Sequence, residues 1–180
     1  YRKKLTVFFS DIVNFTNISE TLESEELTAL LNFYLNEMSQ IALSFGGTID
    51  KYIGDAVMIF FGDPETLGIE EDAHQCVSMA VAMQKRMIEL QGYWGKHFGL
   101  KEDLQIRIGI NTGYCTVGNF GSEDRLDYTG VGGAVNLASQ LEGAAPASSI
   151  LISEETYLQV QDHFDFKEAA ELDLKGVGRS

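Results

Sequence analysis

Two runs of strand-forming residues, Thr48 to Ile53 and Ala56 to Phe61, are separated only by Gly54 and Asp55. A two-residue β-turn needs positive φ, which glycine supplies, so the spacing predicts a tight hairpin with Asp55 at its apex. That hairpin fixes two antiparallel neighbours and constrains everything built beside them. Upstream, Leu5 to Phe9 is a short apolar run rich in Val and Phe that ends at Ser10-Asp11. It reads as a buried strand delivering Asp11 at its tip. Between the two, Leu27, Leu30, Leu31, Tyr34, Met38, Ile41 and Phe45 recur at helical spacing. This helix starts near Ser24, with Glu25 and Glu26 at the positive end of the dipole, and stops at Gly46-Gly47.

Downstream, a second helix is expected from about Glu70 to Leu90, with Ala73, Val77, Ala80, Met83 and Met87 on one face as core filling. Gln105 to Thr112 alternates like a strand; after Gly113, Tyr114 to Phe120 reads as the arm of a second hairpin. A short helix over Gly132 to Leu141, a strand over Ser149 to Ile152 and a helix over Ser153 to Val160, capped by Ser153, follow. Phe164 to Leu174 is weakly strand-like. The order β-α-β-β-α-β-β predicts an α+β, ferredoxin-like (split βαβ) domain with an extra C-terminal β/α extension. No repeat or linker interrupts residues 1–180, so one domain is expected, read as a piece of a longer chain because it begins at Tyr1.

Charge limits the partners. Thirteen Lys and Arg against 27 Asp and Glu give a net charge of −14, which repels nucleic-acid phosphates. Any nucleotide triphosphate held here needs metal ions and locally placed cations to offset that field. Apolar stretches such as Val57 to Phe61 fall far short of the roughly 20 residues that span a bilayer. Cys76 and Cys115 form no CxxC pair and suit a reducing, cytoplasmic compartment. His74, His97 and His163 lack metal-ligand spacing and read as structural or surface residues.

Chemistry points instead to two carboxylates. In the ferredoxin-like plan the first strand lies beside the hairpin, so Asp11 and Asp55 can meet at one edge. Two converging oxygen ligands suit Mg²⁺ held jointly with substrate phosphates. The same residues also serve as a plain cap and a plain turn, and only their surroundings separate these readings. The segment Ile12-Val13-Asn14-Phe15-Thr16 reads as a loop whose backbone N–H groups can cradle phosphates. No GxxxxGK[ST] occurs, and Gly130-Val131-Gly132-Gly133 lacks the βαβ context of a dinucleotide fingerprint.

Phe9-Ser10-Asp11-Ile12-Val13-Asn14-Phe15-Thr16 resembles the opening metal motif of class III adenylyl and guanylyl cyclases. Lys51-Tyr52-Ile53-Gly54-Asp55 is similar to their Lys-x-x-Gly-Asp motif, and Arg107 to Gly113 to their central strand and turn. Tyr128 through Ser139 resembles their dimer-interface helix motif, and Leu174-Lys175-Gly176 their closing loop. These blocks occur in order along essentially the whole chain.

The resemblance implies that Asp11, Asp55 and the Ile12 carbonyl hold two Mg²⁺ or Mn²⁺ ions. The ribose 3′-hydroxyl of ATP would then attack the α-phosphate, giving cyclic AMP and pyrophosphate. It assigns the adenine ring to Lys51, where guanylyl members typically carry Glu, and to Thr129, where many adenylyl members carry Asp. Threonine occurs there in a subset that includes bicarbonate-responsive cyclases, so bicarbonate is an expected effector to test. Asn14, Phe15 and Thr16 would contact the phosphates, and Lys175 would reach the triphosphate tail. Asn136 would position the ribose from the other subunit of a homodimer, with sites at the interface. The family carries an arginine four residues after Asn136; here Gln140 stands in its place and supplies no charge. An active adenylyl cyclase is the reading this favours. A nucleotide-binding regulatory dimerisation module, supported by Gln140, and a guanylyl cyclase, disfavoured by Lys51, are the alternatives.

Overall fold

The computed structural model describes residues 1–120, 123–126 and 133–166, with side chains for 1–118 and 133–166. Its first strand, β1 (Arg2–Ile12), is buried along nearly its whole length, as its unbroken apolar run requires of a central strand. Two helices follow, α1 (Phe15–Thr21) and α2 (Ser24–Ser44). The predicted hairpin forms as β2 (Thr48–Ile53) and β3 (Ala56–Phe61), with Gly54 at φ 61°. Next come α3 (Ile69–Glu89), α4 (Tyr93–Phe98) and the long strand β4 (Ile106–Phe120). β5 (Glu123–Leu126), α5 (Ala134–Ala144), β6 (Ile150–Ile152) and α6 (Glu154–Val160) complete the described chain.

The sheet runs β2-β3-β1-β4-β5, with β6 added parallel to β4. Its first four strands are antiparallel neighbours in the split βαβ arrangement, so the expected fold class holds. Strand alternation separates two apolar layers. On one face Phe8, Ile59, Phe61, Ile108 and Ile110 pack under α2 and α3, whose Leu30, Tyr34, Met38, Ala73, Ala80 and Met83 are buried. On the other, Leu5, Val7, Phe9, Met58 and Phe60 meet Val135 and Ala138 of α5. Each such buried large side chain contributes about 1.5–3 kcal/mol of transfer free energy.

Three local expectations are corrected. Gly113 is not a turn: β4 runs through it, and Gly113 pairs with Leu5 in the ladder. Its missing side chain serves packing, because a Cβ there would stand 2.9 Å from Cβ of Ala134 on α5. The second hairpin instead joins β4 to β5, with Val117 opposite Leu126. The segment from Phe15 is a helix rather than a loop, entered through Asn14 in the left-handed conformation (φ 58°, ψ 33°) that asparagine tolerates better than most residues. Ser153 caps α6 as expected, accepting a hydrogen bond from the Thr156 N–H. The Phe164 to Leu174 expectation falls largely outside the described residues.

Candidate active site

The antiparallel register of β1 and β4 sets Asp11 directly opposite Arg107. Cross-strand neighbours lie close enough to pair, and the guanidinium grips the carboxylate with two nitrogens: Nε donates to Oδ1 at 3.3 Å and Nη2 to Oδ2 at 3.2 Å. The β2–β3 turn comes back to the same edge. There the Ile12 N–H donates to Oδ2 of Asp55 at 2.8 Å. One backbone amide thus ties the apex of the hairpin to the tip of β1, and the two carboxylates expected to converge do so.

A third acid joins them from α5. Glu142 is buried, with Oε2 3.8 Å from Nε of Arg107. Nη1 of Arg107 also donates to the Gly143 carbonyl at 3.2 Å. Burial, and then the neighbouring Asp11 charge, push the Glu142 carboxyl up to about 8. Asp55 is also raised, first by burial, with the Ile12 N–H partly opposing the rise. With the Glu142 carboxyl holding its proton near neutral pH, the Asp11 and Asp55 charges still exceed that of the one guanidinium, an imbalance a divalent cation relieves. Among the described residues, no three His, Cys, Asp or Glu side chains form a metal cage on their own. The converging oxygens of Asp11 and Asp55 suit a hard divalent cation that takes its remaining ligands from substrate phosphates and water.

Asp11, Asp55 and Arg107 line a cavity of about 290 Å³ together with Ile12, Asn14, Phe15, Thr16 and Asn17. It gathers Asp11, Ile12, Asp55, Asn14, Phe15 and Thr16, all named from the sequence. It adds Arg107, Asn17 and the adjacent Glu142, which sequence reasoning did not assign. A cavity of about 270 Å³ beside α3 is lined by Glu102 and Asp103 but by no cation, a poor match for an anionic substrate.

Other expected residues stand elsewhere. Lys51 lies on β2, three residues or about 10 Å before the turn, with its ammonium 3.3 Å from Asp50. Asn136 and Gln140 are half-buried on α5, one helical turn apart on the same face. At 100° per residue that face lies opposite Ala138, which packs on the sheet, and turned away from Glu142. Thr129 and Lys175 lie outside the described residues. His74 and His163, far apart in sequence, meet edge to face with ring centroids 4.9 Å apart.

Comparison with known proteins agrees with this arrangement. The family described as the adenylate and guanylate cyclase catalytic domain matches residues 2–180. The crystal structure of the adenylyl cyclase CyaB from P. aeruginosa superposes with a TM-score of 0.89 at 54% identity, covering 98% of this chain and 89% of that one. The guanylate cyclase domain of RhGC from Catenaria anguillulae, solved in complex with GTP, gives a TM-score of 0.84 at 30% identity over 99% of this chain and 94% of that one. Adenylate cyclase 1 of Rhizobium meliloti is 34% identical over 178 residues, 98% of this chain but 26% of its own length. The chain thus spans about a quarter of that curated relative. With the carboxylate edge, the split βαβ sheet and a match across nearly every residue in agreement, the chain belongs to the adenylate and guanylate cyclase catalytic domain family, class III of the nucleotidyl cyclases.

Proposed function

We propose that this domain is an adenylyl cyclase that converts ATP to cyclic AMP and pyrophosphate at sites shared between two copies of the chain. The observation that carries the reading is the convergence of Asp11 and Asp55 on one edge, beside Arg107. Asp11 and Asp55, with the Ile12 carbonyl, hold two Mg²⁺ or Mn²⁺ ions. When bound, such ions polarise the α-phosphate and acidify the ribose 3′-hydroxyl. Arg107 can exchange its grip on Asp11 for a phosphate oxygen, and Phe15, Thr16 and Asn17 at the start of α1 line the same cavity. The reaction is intramolecular, so positioning and charge neutralisation do most of the work.

Lys51 donates a hydrogen bond to the adenine ring, with Thr129 beside it. Asn136 orients the ribose of the partner's nucleotide; the outward face of α5 supports a homodimer over a self-contained monomer. Lys175 reaches the triphosphate tail, and bicarbonate is an effector to test through activity at fixed pH. Among the described residues no helix is long and apolar enough to cross a membrane. Gln140 supports one other reading, a regulatory module that binds nucleotide and dimerises without turnover. Product formation from ATP and GTP, with Mg²⁺ and with Mn²⁺, across a range of protein concentrations tests both. Cyclic AMP with a specific activity that rises with concentration supports the dimeric adenylyl cyclase. Nucleotide binding without product from either nucleotide supports the module.

A further inference from the structure

We propose that Asp50 is a positioning residue for Lys51, and through it sets the preference for ATP over GTP. The inference rests on Lys51 reading the purine ring. Two observations carry it. The first is a bulge in β2: Thr48 faces Phe60 and Ile49 faces Ile59, but the next pair is Lys51 with Met58. Asp50 is the extra residue. Without it, Lys51 would fall opposite Val57, on the face that α2 and α3 cover, because a shift of one residue moves a side chain to the other face of a sheet. The bulge therefore places Lys51 on the Met58 face.

The second observation is the Asp50 carboxylate. Its side chain is 0% exposed, and Oδ2 lies 3.3 Å from the ammonium of Lys51, whose side chain is 33% exposed. A buried carboxylate is retained only with compensating partners. This one draws the lysine head back along β2 and holds a long, flexible stem in one arrangement before any nucleotide arrives. An ammonium carries three donors, so one directed at Asp50 leaves two for a purine acceptor. A ring nitrogen that accepts, as in adenine, gains from a lysine fixed in this way; the protonated ring nitrogen of guanine does not.

The test is a double-mutant cycle on the ratio of kcat/KM for ATP to that for GTP in wild type, Asp50→Asn, Lys51→Ala and the double variant. The ratio should fall about tenfold in Asp50→Asn, the size of one weakened charge-assisted hydrogen bond. In the Lys51→Ala background the second substitution should leave the ratio unchanged. An unchanged ratio in Asp50→Asn, or an equal fall with and without Lys51, overturns the proposal. If Lys51→Ala itself leaves the wild-type ratio unaltered, the Lys51 reading fails and this proposal with it, a result distinct from the other two. Circular dichroism checks the fold. Asp50→Ala, which leaves no buried polar group behind, replaces Asp50→Asn should the latter not fold. Displacement of a fluorescent ATP analogue by ATP and by GTP reads the same preference if turnover is too slow to measure.

Discussion

The edge at Asp11 and the outward stripe of α5 make opposite kinds of site. At the edge, four parts of one chain close on each other: Arg107 of β4 clasps Asp11 of β1, Ile12 holds Asp55 of the hairpin turn, and Glu142 closes the cluster from α5. On α5, Asn136 and Gln140 sit one turn apart on the face turned away from that cluster. The same helix thus supports the edge with Glu142 and carries Asn136 and Gln140 on its other side. The contrast separates two roles that the proposed function assigns differently: the edge is assembled within a single chain, whereas the α5 stripe is assigned to a nucleotide held by another.

Several substitutions can break or sharpen that contrast. Asp55→Ala should have the largest effect, lowering kcat at least about 10³-fold with Mg²⁺ or Mn²⁺ while the fold survives. Turnover that persists in this variant would remove Asp55 from the metal site. Mixing Asp55→Ala chains with Asn136→Ala chains in equal amounts should restore about a quarter of the wild-type rate, because half the dimers are mixed and each has one intact site. No recovery on mixing would place the whole site within one chain. Gln140→Arg should raise kcat by about 10², the effect of one preorganised donor at the transition state. A rate that does not change would mean this chain has no use for a cation on the stripe.

The smallest effect belongs to the edge alone. The Glu142 carboxyl, at about 8 in the folded chain, lies above its ordinary 4.5. Between these values the folded state keeps a proton that the unfolded state releases, so stability must fall as pH rises through that window and level off above it. In metal-free buffer the Tm of Glu142→Gln should therefore gain on wild type from about pH 5 to pH 8. Parallel Tm curves would refute the assignment.

What was legible in the sequence follows from where periodicity ends. Asp11 and Asp55 stand at the ends of strongly patterned strands, so their meeting could be read from the hairpin and the fold class. Arg107 could not be assigned, because its pairing with Asp11 exists only through the β1–β4 register. Glu142 is an acid in the last turn of a short helix, and its burial depends on how closely that helix sits on β4. Lys51 was legible as a motif residue, yet the face it occupies depends on a bulge that leaves no mark on the alternation. Gly113 carried a real signal that was assigned to the wrong cause, since glycine serves a close approach as well as a turn. The helices α1 and α4 were missed because seven and six residues are too few to establish a period.

The seating of α5 on β4 has a mechanical consequence. A Cβ on Gly109 would lie 2.2 Å from the Glu142 nitrogen and 2.6 Å from the Ala138 oxygen, so the helix rests on bare backbone with no side chain between. A side chain can change rotamer and absorb a small displacement, whereas two backbones in contact must move together. Arg107 lies two residues from that contact, and its guanidinium also holds the Gly143 carbonyl at the end of the helix. A displacement of α5 is therefore passed to the Arg107 side of the cavity with little slack. A small rotation of the helix is then enough to change how Arg107 holds Asp11.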